Sequence, residues 1–411
     1  MSERLILGAL GALALGATAA AQILPGLPAT PDLRDPLGRV GQIAREPLEQ
    51  VGQVVRALDV ADLRLDRLTA LVRANPRVLD LDDHGQAVVR AEVLAVAPSP
   101  ETLARLTAAG FAVAREEGAD GLGLRVVVLR PPSGLNVRAA VRRARELDPN
   151  GAYDFNHLYA GAGGSGSEAR VGGPRPALPV GRVGLLDGGV DRKHPAFKGV
   201  EIEPRAFAPG GGGASRHGTA VASLLAGKGY GGLGAGSRIY AADVYGTGPT
   251  GGSASAIIGA LNWMAQAKVP VVNISLVGPD NLTLRAAVKA LLARGCLVVA
   301  AVGNDGPAAP PLYPASYPGV VAVTGVDAKG RLLPEAGKAA HIDFAALGAG
   351  VRGAAPGGGA TSVRGTSYAA PVVAARLAVR PDLAALTGQA EDLGVPGPDP
   401  VFGKGLVSAA R

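Results

Sequence analysis

Three side chains of this chain stand where they can do chemistry. Asp187 closes the apolar run Val183-Gly-Leu-Leu-Asp187, His217 opens Arg216-His-Gly-Thr-Ala-Val-Ala222, and Ser367 lies within Gly365-Thr-Ser-Tyr-Ala-Ala-Pro371. A serine hydroxyl is a weak nucleophile until a base takes its proton. A neutral histidine does this when a carboxylate fixes its tautomer and stabilises the imidazolium. The chain order Asp…His…Ser supplies those three roles. A fourth run, Val298-Val-Ala-Ala-Val-Gly-Asn304, ends on an amide whose N–H can meet an oxyanion. The backbone N–H of Ser367 can join it, because Ser367 precedes a helix whose dipole favours negative charge at that end.

Such residues need a scaffold that ends several strands along one edge. Beyond Val180 the pattern predicts strands over 183–186, 238–244, 270–276, 297–302 and 320–326, with helices over 218–225, 255–265 and 282–294. That alternation predicts an α/β domain with a mostly parallel sheet and helices on both faces. Its functional crevice lies at the carboxyl ends of the strands. Upstream, strands over 88–96, 111–115, 124–129 and 152–158 and helices over 99–109 and 137–147 follow the order β-α-β-β-α-β, that of a small α+β ferredoxin-like domain. A helical pattern over 47–74 and a strand over 78–82 precede it. The chain then divides into an export signal over 1–21, a Pro-rich lead-in and helical segment over 22–85, the ferredoxin-like domain over 86–160, a Gly/Ser/Pro linker over 161–179 and the α/β domain over 180–411. The signal rests on Arg4, the uncharged run over 5–20 and the small residues Ala19-Ala20-Ala21, so the chain is expected to be exported, meeting the membrane only through that segment.

Composition narrows the classes. Hydrophobic residues are 47% and charged residues 18% of 411, ample for folded cores. One Cys excludes an intramolecular disulfide and a Cys-built zinc site, and five His leave little for a metal cluster. The net charge of +7 raises nucleic acid as a partner. However, residues 1–180 hold 20 basic and 20 acidic side chains, whereas residues 181–411 hold 21 and 14, without runs. The surplus is therefore surface character of the second domain, and no nucleic-acid partner is expected. The arginines at 138, 142, 143 and 145 read as one solvated helix face. The run Gly246-Thr-Gly-Pro-Thr-Gly251 matches a dinucleotide fingerprint, but 61 glycines make chance matches common. The next strand, Val271-Val-Asn-Ile-Ser-Leu276, also lacks the acid that would hold a ribose. His84, His157, His194 and His341 read as structural, and Cys296 as a small buried hydrophobe.

The four reactive segments, in this order, resemble the motifs of the subtilisin-like serine proteases, the subtilase family. The resemblance runs from about Val180 to the ending Phe402-Gly-Lys-Gly-Leu-Val-Ser-Ala409. It implies a subtilisin-like three-layer fold and a secreted serine endopeptidase made as a zymogen, with Asp187, His217, Ser367 and Asn304 as its catalytic residues. It also implies that Thr250, Gly251 and Gly252 on one side and Ser275 and Leu276 on the other hold an extended polypeptide substrate by main-chain bonds. The ferredoxin-like domain is then a prodomain that assists folding and inhibits until the chain cuts itself within 160–182. Some residues depart from the family's pattern. Gly188 stands where Thr or Ser is common, and Gly-Thr-Ala-Val-Ala-Ser follows His217 where a second His and a Gly are usual. Val277 stands at a groove position that is often Gly, where a branched side chain narrows a subsite. The run over 227–234 lacks the Asn-containing calcium loop, so no metal or cofactor is expected for the chemistry and structural calcium lacks support. Two other classes compete. One is an inactive peptide-binding or chaperone-like module on the same fold. The other is an esterase, which would need Gly-x-Ser-x-Gly and the order Ser…Asp…His, neither of which is present.

Overall fold

The structure, a computed structural model, describes residues 64–162, 164–165 and 173–408, all within one unit spanning Gln53–Arg411. The export signal, the lead-in and most of the 47–74 helical pattern lie outside the described residues.

The described chain begins with a helix over 64–74 (α1). There follow β1 (Leu79–Leu81), β2 (Ala87–Val96), α2 (Pro100–Ala108), β3 (Ala112–Glu117), α3 (Ala119–Leu122), β4 (Val126–Arg130), α4 (Val137–Leu147) and β5 (Ala152–His157). Local chemistry fixes the helix starts. The Ser99 side chain accepts from the Thr102 N–H at 3.1 Å with Pro100 in the first turn, and Asn136 accepts from the Ala139 N–H at 2.9 Å. The strands form an antiparallel sheet in the order β1-β2-β4-β3, with β5 also on β2. Alternation along β4 sends Val127 and Leu129 to a cluster with Leu106, Val137 and Val141 of this domain's own helices. Val126 and Val128 point the other way and join a cluster with Ile257, Leu261 and Leu284 of the second domain. Both faces of the sheet are therefore buried, which is why β4 reads as one unbroken apolar run. Sequence predicts a plain turn between β3 and β4. Instead β3 runs on to Glu117 and α3 forms, its Gly121 and Leu122 N–H groups donating to Asn262 Oδ1 at 2.7 and 3.0 Å. That partner, 140 residues away, decides the local conformation.

Two short strands come next, β6 (Ala160–Gly161) and β7 (Gly164–Ser165). Then follow β8 (Arg182–Asp187), β9 (Glu201–Ala206), α5 (Arg216–Ala226), β10 (Arg238–Asp243), α6 (Ala254–Gln266), β11 (Val271–Ile274), β12 (Leu276–Val277), α7 (Leu282–Leu292), β13 (Leu297–Ala301) and β14 (Val321–Val326). The chain closes with β15 (Phe344–Leu347), β16 (Val351–Ala354), β17 (Ala360–Arg364), α8 (Ala370–Val379), α9 (Leu383–Thr387) and β18 (Leu406–Val407). Eight of these strands form a parallel sheet in the order β18-β15-β14-β13-β11-β8-β10-β9. The α/β class and the parallel sheet match the sequence reading. From β8 the chain builds β9 and β10 on one side, then crosses to β11 on the other. The carboxyl end of β8 is thus the switch point where such sheets open a crevice. The strand expected over 270–276 stops at Ile274. The hydroxyl of Ser275 accepts from Asn273 Nδ2 at 2.9 Å and donates to the Ser367 carbonyl at 3.0 Å, turning the chain into β12. Edge strand β9 carries no strand pattern in the sequence, because it is mostly exposed and holds Pro204, which only an edge tolerates.

Helices α5 and α8 share one apolar cluster with the parallel sheet, and α6 and α7 share the other. The N-terminal sheet seats on α6 and α7. Burying Leu94, Leu122, Val126 and Val128 there contributes about 1.5–3 kcal/mol per side chain before ordering costs. Polar groups fix the seating. Asp154 Oδ2 accepts from the Leu282 N–H at 2.6 Å and Asn156 Oδ1 from the Ser255 N–H at 2.9 Å, each at the first turn of a helix. Carboxylate and carbonyl oxygen there meet unpaired N–H groups and the positive end of the helix dipole.

Candidate active site

Asp187 is the last residue of β8 and is 1% exposed. The Gly188 N–H donates to its Oδ1 at 2.7 Å. His217 occupies the first turn of α5, which Ser215 caps by accepting from the Gly218 N–H at 2.9 Å. That cap holds the ring over the carboxylate, with His217 Nδ1 at 2.9 and 2.8 Å from the two Asp187 oxygens. Acceptors on this side place the ring proton on Nδ1 and leave Nε2 as a base, and Nε2 is buried without a hydrogen-bond partner. Burial works to lower the His217 pKa. The charge and hydrogen bond of Asp187 outweigh it, so the imidazole titrates above its ordinary value.

The two departures near this pair are packing features. A β-carbon on Gly188 would stand 2.5 Å from the capping Ser215 hydroxyl. Ala220, where the family's second His is expected, has its β-carbon 2.9 Å from where a Gly353 β-carbon would be. Gly188 therefore has no room for a larger side chain, and Ala220 packs closely on Gly353.

Ser367 lies on the 3-10 turn Thr366–Tyr368, after Gly365 at φ 129° and before α8, whose first turn holds Pro371. Only glycine takes that φ cheaply. The Ser367 hydroxyl is buried and donates to the Ser275 carbonyl at 3.1 Å, not to His217. Its N–H donates to the Ala162 carbonyl at 3.1 Å, and Asn304 Nδ2 donates to that same oxygen. Asn304 follows β13 and is aimed by Thr366, whose N–H and hydroxyl donate to Asn304 Oδ1 at 3.0 and 3.1 Å. Thr366 was not singled out from sequence. Its place beside Ser367 was the available signal.

The chain's own residues 159–162 fill the groove. The Tyr159 N–H donates to the Gly252 carbonyl at 2.8 Å and the Ala162 N–H to the Ser275 carbonyl at 3.1 Å. Between them β6 pairs antiparallel with β12, Ala160 opposite Val277 and Gly161 opposite Leu276. Beyond Ala162, β7 pairs with β17, Ser165 opposite Val363. The linker expected over 161–179 is therefore bound to the second domain at its start. It is bound again at Arg175 and Leu178, which bridge to Gly229 and Leu233. Of the residues expected to hold a peptide, Gly252, Ser275 and Leu276 touch this segment. Gly251 packs against Tyr245, where a β-carbon would meet the carbonyl at 2.2 Å, and Thr250 makes no hydrogen bond to the segment among the described residues. A cleft of about 910 Å³ beside the segment is lined by Asp187, His217 and Asn304, and also by Arg64, Leu68 and Leu71 of α1. Arg64 Nε donates to Asp305 Oδ2 at 2.6 Å with both side chains nearly buried. Burial raises the Asp305 pKa despite the opposing charges of Arg64 and Arg67.

Three of the remaining four histidines have structural partners. His194 Nδ1 accepts from the Ala196 N–H at 3.0 Å and its Nε2 lies 2.7 Å from the Gly359 carbonyl. His341 Nε2 lies 2.8 Å from the Val320 carbonyl, and His84 is exposed. His157 forms a second buried His–Asp pair, with Asp82 at 3.0 Å. Its other nitrogen meets Asn281 at 2.9 Å, so this pair fastens β5 to the cap of α7. Burial pushes the Cys296 thiol up to about 12.

Comparison with known proteins agrees with this geometry. The profile described as the subtilase family matches residues 182–387. The subtilisin of Bacillus pumilus is 32% identical over 210 residues, covering 48% of this chain and 75% of that protein. Subtilisin E of Bacillus subtilis (strain 168) is also 32% identical over 210 residues, and there the chain spans 54% of its relative's length. Among solved structures, fervidolysin from Fervidobacterium pennivorans, a keratinolytic enzyme related to subtilisin, aligns with a TM-score of 0.66 at 19% identity. That alignment covers 81% of this chain and 62% of fervidolysin and shows a shared fold.

Proposed function

The chain belongs to the subtilase family of serine endopeptidases, and from that premise we propose that it is exported as an inactive precursor that cuts itself between Ala162 and Gly163. One observation carries this reading: the Ala162 carbonyl accepts from both the Ser367 N–H and Asn304 Nδ2, beside the Asp187–His217 pair. A carbonyl in that position is a substrate carbonyl, and these donors strengthen as its oxygen gains charge.

The steps follow from the atoms. The Ser367 hydroxyl swings from the Ser275 carbonyl towards His217 Nε2, a rotation about one side-chain bond. Its oxygen attacks the Ala162 carbonyl carbon while Nε2 takes its proton, and Asp187 stabilises the imidazolium. The negative oxygen rests on Asn304 and the Ser367 N–H. The C–N bond to Gly163 then breaks, and the proton on Nε2 passes to the departing amine. Water, deprotonated by the same nitrogen, releases the Ala162 carboxylate. Other extended polypeptides follow once residues 159–162 leave, held by Gly252, Ser275 and Leu276.

On this reading the domain over 86–160 is the prodomain, and the surplus charge belongs to the mature protease. Export rests on the Arg4 start, the uncharged run over 5–20 and Ala19-Ala20-Ala21. Among the described residues no helix is long and apolar enough to cross a membrane. The chemistry uses side chains and main chain alone. To test the reading, the full chain is expressed and the mature product's N-terminus sequenced. Unfolded protein is then offered with and without a serine-directed covalent inhibitor. A new N-terminus at Gly163 and inhibitor-sensitive degradation are expected. A chain that stays whole, or a Ser367→Ala chain cut at the same bond, sinks self-cleavage.

A further inference from the structure

We propose that this protease reads two substrate positions: it cuts after alanine or glycine, and it selects tyrosine three residues before that alanine or glycine. The proposal rests on the reading of residues 159–162 as a bound substrate and names the substrates that site accepts.

The Tyr159 side chain is 1% exposed and belongs to an apolar cluster with Leu276, Ala315 and Tyr317. Gly278 leaves room for it. A β-carbon there would stand 2.5–2.8 Å from three atoms of the Tyr159 ring, so any larger residue fills the space the ring needs. At the far end of this pocket the Tyr159 hydroxyl donates to the Pro279 carbonyl at 2.8 Å. An apolar pocket holds phenylalanine and tyrosine alike, but a carbonyl at its end rewards only the hydroxyl.

The second position is closed by bulk. The Ala162 methyl is 2% exposed and shares an apolar cluster with Val277 and Leu312. Leu312 Cδ1 and Val277 Cγ1 come within 2.9 and 3.5 Å of where a Gly303 β-carbon would lie, so both side chains fill the wall before Asn304. With Ala162 buried beside this wall, a side chain longer than a methyl at the scissile residue would have to displace Val277 or Leu312. The two positions between select little. Ala160 is half-exposed, and a β-carbon on Gly161 would sit 3.6 Å from His217 Nε2, an ordinary contact.

The sequence agrees. Of the eight tyrosines in the chain, Tyr159 is the one with alanine three residues later. Within residues 180–411 the pattern survives only as Tyr245 with Gly248, whose preceding Gly246 is packed on the Pro209 carbonyl. A protease with this selectivity has one preferred site in its own precursor.

The test uses the mature enzyme and the peptides Tyr-Ala-Gly-Ala, Phe-Ala-Gly-Ala, Ala-Ala-Gly-Ala and Tyr-Ala-Gly-Leu, each joined to a fluorogenic amine. Relative to the first, kcat/KM is expected to fall about 3- to 10-fold with phenylalanine, the worth of one net hydrogen bond. It should fall roughly 10- to 100-fold with alanine in place of tyrosine, the worth of burying the ring, and by a similar factor with leucine before the cut. Val277→Gly should recover most of the leucine loss. Equal rates on the tyrosine and alanine peptides, or leucine cut as fast as alanine, overturn the proposal while inhibitor-sensitive degradation of unfolded protein leaves the protease reading intact. No degradation of unfolded protein overturns both.

Discussion

Against α6 and α7 the N-terminal domain presents Leu94, Val126 and Val128 of its sheet and Leu122 of α3, all buried, with Asp154 and Asn156 at the helix starts. In the groove, the stretch from Tyr159 to Ala162 presents one large side chain and otherwise backbone. The first hold is broad and apolar and does not involve the reacting bond. The second is a narrow strand that runs through it. If the chain cuts itself after Ala162 as proposed, scission weakens only the second hold. The severed prodomain is expected to stay seated on its helices, with its new carboxyl end in the groove, so cutting and release are separate events.

The largest effect should come from removing the chemistry while keeping both holds. Ser367→Ala is expected to leave the precursor whole, as seen by gel and mass spectrometry; the loss of about 10⁶ in turnover is a value taken over from the subtilisins. Asp187→Asn should cost about 10⁴, again borrowed from other triad proteases. It also tests the pH dependence. The base works only when neutral, and Asp187 raises its pKa, so the acid limb of kcat/KM should lie above the ordinary histidine value of about 6.5. Without the carboxylate charge only burial remains, and the limb should move to lower pH in a stopped-flow or peptide-hydrolysis profile. Asn304→Ala should slow scission by roughly 10²–10³, a factor known from the same residue type in subtilisin and not read from this geometry.

Val128→Asp attacks the other hold. A charge on that face has no partner, so the cut prodomain should leave soon after scission. Size-exclusion would then separate the two products that otherwise travel together, and activity would appear earlier. If the products separate equally fast without the substitution, the broad face is not what keeps them together. The smallest change is Arg64→Ala. It leaves Asp305 without its nearest cation and should loosen α1, raising hydrogen exchange over 64–74 several-fold with little change in the scission rate.

Asp187, His217, Ser367 and Asn304 were legible in the sequence because each stands at the end of a strand or the start of a helix, where pattern and reactive residue coincide. The parallel sheet was legible too, since its central strands are unbroken apolar runs. The groove strand was not. Ala160-Gly-Ala162 has no strand propensity of its own, and its pairing comes from Val277, Leu276 and Ser275, more than a hundred residues away. Nor does sequence tell which side of Val126-Val-Val-Leu129 meets the second domain, because a run buried on both faces carries no alternation. The short strands β15 to β18 are likewise set by their neighbours, not by their residues.

Leu158 alone separates β5 from the residue whose ring fills the groove. With so little slack, the reacting bond is presented by the fold at an effective concentration far above that of any second molecule, on the order of the 10⁵–10⁸ M reached by well-oriented intramolecular reactions. On the proposed reading, maturation is a first-order clock: each molecule starts its own when it folds, and diluting the precursor should leave the half-life unchanged.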